Sequence, residues 1–319
     1  MPVVPNIKLK LLGVVELNFC IRVVCLLTAS LMATHALSQD IRSWSDKTVC
    51  RLVKAAGHSD SNEEATRRGL DCIASIKPIK PYYSTSINAV KRGMFGEIKR
   101  SLNNKPHGYA VIEDPTGSAP TKRVEVFEVR PGDCAKSKGW DDCKKDRERS
   151  ELSESGKKRA RSGSEYWYGW NIYFPKDYIN IYPTKTALGQ FHQDGSHPVW
   201  MFQNGKGGYH LDDQVYGGTR KYFELISEKN LRGQWYQIEV HAKWEKDRTG
   251  IFQVWVNGEL KVDYTGQTMT AKKVYFKYGI YRSFMSRYKN KTNTTEVPAQ
   301  TVYYSNVKKG LTRESLVAQ

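Results

Sequence analysis

The sequence predicts an all-β protein of the sandwich or jelly-roll type, and three observations carry that reading. Short runs rich in Tyr, Trp, Val and Ile recur from about residue 84 onward. Turn-forming residues separate them, with Asn257-Gly258 the strongest hairpin signal in the chain. No helical pattern is interleaved between the runs, so two stacked antiparallel sheets are favoured over a parallel α/β sheet.

Taken in order, residues 1–38 read as a secretory signal. Lys8, Lys10 and Arg22 precede an apolar run over 23–33, and the small residues Ala36 and Ser38 mark a cleavage point before Gln39. The run is too short for a permanent membrane span. Residues 39–79 read as a small helical hairpin: Ser45-Asp46 caps a helix over 48–56, and Asn62-Glu63-Glu64 starts a second one through Gly69. Cys20 and Cys25 leave with the signal. Cys50, Cys72, Cys134 and Cys143 remain, and four cysteines allow three pairings. The sequential one, Cys50 with Cys72 and Cys134 with Cys143, closes the local loops. A β domain over 84–312 follows, with strands expected at 108–112, 122–129, 149–154, 164–174, 187–192, 221–226, 235–244, 251–256, 260–264, 273–281 and 302–308.

The formal charge of +17 favours a polyanionic partner: nucleic acid, anionic lipid or acidic polysaccharide. Export and the β pattern argue against nucleic acid. The basic tract Lys157-Lys158-Arg159-Ala160-Arg161 is a connecting loop and a candidate wall of a polyanion cleft. His192, His197 and His210 match no zinc spacing. Asp212-Asp213 has only part of a calcium-loop pattern, which leaves a structural calcium ion as an open expectation. No paired-carboxylate signature marks a glycoside hydrolase.

Three stretches concentrate proton-handling side chains. In Tyr275-Phe276-Lys277-Tyr278-Gly279-Ile280-Tyr281-Arg282, alternation along a strand puts Tyr275, Lys277, Gly279 and Tyr281 on one face. Phe276, Tyr278 and Ile280 take the other, core face, and Gly279 is expected to leave an open gap where something can approach the sheet closely. In Arg149-Ser150-Glu151-Leu152, Arg149 and Glu151 share a face and Leu152 turns inward. In Gln190-Phe191-His192, Gln190 and His192 share a face and Phe191 turns inward. Side by side, these strands gather Arg149, Glu151, Gln190, His192, Lys277 and Tyr281 on one sheet face.

These motifs, in this order, resemble those of the family-seven alginate lyases. The runs around Trp235, Asn257-Gly258 and 302–306 look closer to the heparin lyase I and glucuronan lyase families of the same superfamily. The resemblance covers roughly 105–310. Phe191 replaces the usual Ile or Val, and Tyr281-Arg282-Ser283 replaces Tyr-Asn-Gln. The resemblance implies a concanavalin-like jelly roll, secreted or periplasmic and monomeric, which cleaves a uronate-containing polysaccharide by β-elimination without a catalytic cofactor. By resemblance, Arg149 and Gln190 grip the uronate carboxylate, His192 neutralises it or acts as base, and Tyr281 acts as acid, base or both. Lys277 and Arg149 would lower the Tyr281 pKa, and Glu151 would pair with a cation. Tyr275, Lys277, Arg282, Lys157, Lys158, Arg159 and Arg161 are expected at the substrate. A non-catalytic, lectin-like protein on the same fold is the alternative.

Overall fold

The computed structural model describes residues 105–316 except 138 and 155–158. Before these it describes 46, 49–50, 53, 59–70, 72, 83–84, 94–95 and 98–101. The expected signal over 1–38 and the loop residues Lys157 and Lys158 lie outside the described residues. The chain divides into two compact units, 1–77 and 78–319.

In the first unit, residues 46, 49, 50 and 53 are helical, and helix α1 spans Ser59–Arg67. It begins before the Asn62 start signal. Gly69, at φ 65°, ends it: its N–H bonds to the Thr66 carbonyl, and the Leu70 N–H reaches the Ala65 carbonyl. That pair of bonds is the glycine-terminated cap that satisfies otherwise orphaned carbonyls. The Cys50–Cys72 disulfide forms as expected, beside a small cluster of Val49, Ala65 and Cys72.

The second unit is an antiparallel two-sheet sandwich. Sheet I contains β1 (Tyr83–Ser84), β4 (Tyr109–Glu113), β5 (Arg123–Val129), β9 (Glu165–Tyr173), β14 (Trp235–Lys243), β15 (Gly250–Val256), β16 (Glu259–Gly266) and β18 (Gln300–Gly310). Their order is β16-β15-β14-β9-β18-β5-β4, with β1 paired to β18. Sheet II contains β2 (Met94–Phe95), β3 (Ile98–Ser101), β8 (Arg147–Glu154), β10 (Lys185–Gln193), β11 (Trp200–Gly205), β12 (Gly208–Asp213), β13 (Lys221–Ser227) and β17 (Val274–Ser283), in the order β13-β12-β11-β10-β17-β8-β3-β2. Two further short strands, β6 (Lys136–Ser137) and β7 (Trp140–Asp141), pair as a separate hairpin. Helix α2 spans Met285–Thr292, directly after β17.

Inward-facing rings fill the space between the sheets. Phe191 lies 5.1 Å from Phe276 and 4.8 Å from Tyr168, and Trp200 stacks on Phe252 at 4.2 Å. Each buried ring of this size contributes about 1.5–3 kcal/mol, against about 1 kcal/mol net for a typical hydrogen bond. Ring packing therefore holds the sheets face to face, and hydrogen bonding sets strand register. Phe276, Tyr278, Ile280, Phe191 and Leu152 are all buried, as the alternation expects. Of the aromatic run at 166–170, Tyr168 and Trp170 are core, whereas Trp167 stacks on Trp255 and His241 instead.

Three expectations are corrected. β11 and β12 are strands that the expected set, which passes from 187–192 to 221–226, leaves out. Asp212 and Asp213 are consecutive on β12, so alternation turns them to opposite faces and they do not converge on one ion. Among the described residues no group of three His, Cys, Asp or Glu side chains could hold a metal ion. Gly279 is required for a different reason than an open gap. Its φ is 118°, and a Cβ there would lie 2.4 Å from the Ser150 carbonyl oxygen and 2.7 Å from the Phe127 ring. The glycine lets core atoms approach β17 from within.

Candidate active site

Three adjacent strands of sheet II, β8, β17 and β10, build the site on the sheet's outer face. Their register sets its rows. Arg149 pairs with Tyr281, which pairs with Ala187; Ser153 pairs with Lys277, which pairs with Gln190; Tyr275 pairs with His192. Ala187 is the small residue next to Tyr281, and its methyl leaves the phenol accessible from one side. Arg149, Tyr281, Ala187, Lys277, Gln190 and His192 line a cleft of about 350 Å³, together with Arg147, Lys185, Gln203, Gln214, Ser283 and Phe284.

Glu151 organises the middle of the cleft floor. Its Oε2 accepts the Lys277 Nζ at 2.6 Å, and its Oε1 accepts Gln190 Nε2 at 2.6 Å. All three are buried. Removing one partner of such a pair leaves an uncompensated charge, typically costing about 3–5 kcal/mol. Burial pulls the Lys277 pKa down, and Glu151 opposes it. Arg149 is held from the other side: Nε and Nη2 each donate to Asp142 at 2.7 Å. Burial works against its charge, but Glu151 and Asp142 outweigh it and keep the guanidinium pKa above its usual value. The guanidinium carbon lies 4.3 Å from the Tyr281 ring centroid and fixes the phenol's position through a cation–π contact. Asp142 lies on the loop closed by the Cys134–Cys143 disulfide, the second expected pairing.

Burial raises the Tyr281 pKa, and the charges of Arg149 and Arg147 only partly counter it. The phenol therefore carries its proton. The cations facing Tyr281 are Arg149 and Arg147, rather than the expected Arg149 and Lys277. Burial and the Lys277 charge push His192 down to about 4. His192 Nδ1 lies 2.9 Å from the Gln193 carbonyl. A carbonyl only accepts, so Nδ1 carries the ring proton and Nε2 keeps its lone pair. His192 is thus a neutral imidazole at ordinary pH, set beside a cationic floor.

The outlying expected residues divide. Tyr275 sits against His192, its hydroxyl 3.2 Å from Nδ1, and Arg159 lies over its ring at 4.2 Å. Arg159 also pairs with Asp194. Arg161 is exposed and does not line the cleft. Arg282 is a correction: it is fully buried, turned to the opposite face from Tyr281, and bonded to Glu148 and the Pro298 carbonyl. Strand alternation forces this, because Tyr281 takes the outer face. Four cleft features escape the sequence reading. Arg147 precedes Arg149 by two and shares its face, so alternation alone could have found it. Lys185 lies five residues from Gln190, the wrong parity, and reaches the same face only through a bulge at Leu188. Asp142 arrives by way of the disulfide loop. Phe284, 40% exposed at the cleft, adopts a left-handed φ of 60° that no sequence signal announces.

Fold and cleft together define a jelly-roll protein with a cation-rich, proton-handling floor across one sheet. The chain belongs to the polysaccharide lyase family, whose model, described as "Polysaccharide lyase", matches residues 90–308. It is therefore an enzyme of that class rather than a non-catalytic binding protein. Among solved structures it is similar to the endo-β-1,4-glucuronan lyase of the fungus Trichoderma reesei, at 16% identity and TM-score 0.51, covering 73% of this chain and 96% of that one. It is also similar to an alginate lyase of polysaccharide lyase family 7, at 16% identity and TM-score 0.47, covering 67% of this chain and 93% of that one. Comparison with curated proteins gives no match. Among the described residues no helix is long and apolar enough to cross a membrane.

Proposed function

We propose that the protein cleaves a uronate-containing polysaccharide by β-elimination, with His192 as base and Tyr281 as acid. One observation carries this reading: a neutral imidazole and a protonated phenol line the same cleft as the half-buried Arg149 and the buried Lys277. The uronate C5 proton is weakly acidic because its carboxylate is already negative. Removing it builds a second charge, and preorganised donors facing that charge supply several kcal/mol. Arg149 keeps N–H groups beyond those given to Asp142, and Lys277 adds positive potential beside Gln190. His192 Nε2 takes the C5 proton, the C5 electron pair forms the C4–C5 double bond, the C4–O bond breaks, and the Tyr281 hydroxyl protonates the departing oxygen. Water is not consumed. The phenol's raised pKa favours this division of labour over one in which Tyr281 performs both transfers, because a protonated phenol cannot first accept a proton.

Glucuronan, alginate and heparin-type chains are the candidate substrates. Export is part of the same proposal, supported by the apolar run at 23–33 and by two disulfides, which persist in oxidising compartments. The test is a panel of glucuronan, alginate, heparin, heparan sulfate and hyaluronan followed by ultraviolet absorbance of the C4–C5 alkene. At least one polymer is expected to give an absorbing, unsaturated non-reducing end. Saturated ends from purified protein would overturn the elimination.

A further inference from the structure

Next to the Arg149–Tyr281–Ala187 row lies a second row for which the proposed proton transfers have no use. Arg147 on β8, Ser283 on β17 and Lys185 on β10 are register partners, and all three line the cleft. Strand spacing puts the outer two about 10 Å apart, and the row sits about 7 Å along the strands from Tyr281. The other cations of the floor are committed, Arg149 to Asp142 and Lys277 to Glu151. Arg147 and Lys185 make no ion pair among the described residues. Arg147 lies over the Tyr281 ring at 6.0 Å, and its buried Nε has no hydrogen-bond partner. Lys185 acts on the buried Asp212 only at a distance. Lys185 and Gln203 also line a neighbouring cleft of about 470 Å³, so the row stands where the two clefts meet.

We infer that Arg147, Ser283 and Lys185 form a receptor for an acid group on the sugar next to the one being cleaved, so that the enzyme selects chains acidic at consecutive sugars. The inference rests on the lyase reading above and deepens it. A planar guanidinium suits a carboxylate or sulfate oxygen pair, the Ser283 hydroxyl can donate from the middle of the row, and Lys185 adds a point charge on the far side. In a contiguous polyuronate the neighbouring acid group is a carboxylate; in a heparin-type chain it is a sulfate. Hyaluronan, whose uronates alternate with uncharged sugars, presents neither.

Binding to the Tyr281→Phe protein by titration calorimetry tests the receptor without turnover. The probes are hexamers of glucuronate, mannuronate, hyaluronan and heparin. A uronate hexamer is expected to bind at least tenfold more tightly than the hyaluronan hexamer. Adding Arg147→Gln with Lys185→Gln should weaken it about tenfold or more and remove most of that preference. Adding Arg147→Lys alone should retain more affinity than Arg147→Gln, and serves if the double variant fails to fold. Heparin binding that depends on the row identifies sulfate as an accepted source, and row-independent heparin binding restricts the receptor to carboxylate. Equal affinity for uronate and hyaluronan hexamers, or a folded double variant with unchanged affinity, overturns the inference. Absence of an unsaturated product from every polymer would instead overturn the lyase reading, and the binding comparison would still decide the receptor.

Discussion

Tyr281 and His192 are matched by opposite effects of one cause. Burial disfavours the charged form of each, which keeps the phenol protonated and the imidazole neutral. Tyr281→Phe keeps the ring under Arg149 and removes only the oxygen. It should lower kcat by ~10²–10⁴, the usual worth of a general acid or base, with KM nearly unchanged. His192→Asn should cost a comparable factor; a loss of only a few-fold would transfer the base role to Tyr281. The pH profile gives an independent check. Protonated His192 cannot accept the C5 proton, so kcat/KM should fall as pH drops through about 4, the shifted value, rather than through the ordinary 6.5. Activity should stay level from there until Tyr281 begins to ionise in the alkaline range. An acid limb near 6.5 in the free enzyme would show that His192 is not the buried neutral base described here.

At the scale of the strand, regular alternation was legible and its interruptions were not. Tyr275, Lys277, Tyr281 and Ser283 turn outward, and so the Tyr281 face could be read directly from the order of residues. β10 breaks the rule: Leu188 and Gly189 both turn inward, which brings Lys185 and Ala187 to the face of Gln190 and His192. A bulge of this kind adds one residue to a strand and re-aims those beyond it, and no composition signal marks where it falls. β11 and β12 were missed for another reason. Asn204-Gly205-Lys206-Gly207-Gly208 has loop chemistry, yet only Lys206 and Gly207 form the tight turn between β12 and β11, whose Met201 and Gln203 line the cleft. Gly279 is open to a stability test. Gly279→Ala combines overpacking, about 1–3 kcal/mol, with backbone strain of similar size. A domain this large loses about 2–4 °C per kcal/mol, so the melting temperature should drop by at least ~4 °C. A variant that melts with the wild type would remove the tight approach of Phe127 and Ser150 to β17.

Across the whole molecule, the site depends on a loop outside both sheets. Asp146 accepts the Ser286 N–H and so anchors the first turn of α2, while its carbonyl accepts the Phe284 N–H. Four residues earlier, Asp142 holds Arg149. Asp142 lies inside the loop that Cys134–Cys143 closes, Asp146 lies three residues beyond it, and Cys143 is exposed. Closing so short a loop stabilises by somewhat under ~3 kcal/mol, a minority of a typical domain's ~5–15 kcal/mol. Opening it should therefore spare the sandwich and disturb the cleft. Cys134→Ser with Cys143→Ser, or mild dithiothreitol treatment, should lower kcat at least several-fold while the far-ultraviolet dichroism stays that of the oxidised protein. Asp142→Asn should reproduce the defect with the disulfide intact, and Asp142→Glu should relieve part of it. Unchanged turnover after verified reduction would separate the loop from the site. On this arrangement, folding and competence are two events: a newly made chain can close its sheets in reducing surroundings, yet stays a poor catalyst until an oxidant joins two sulfurs at its edge.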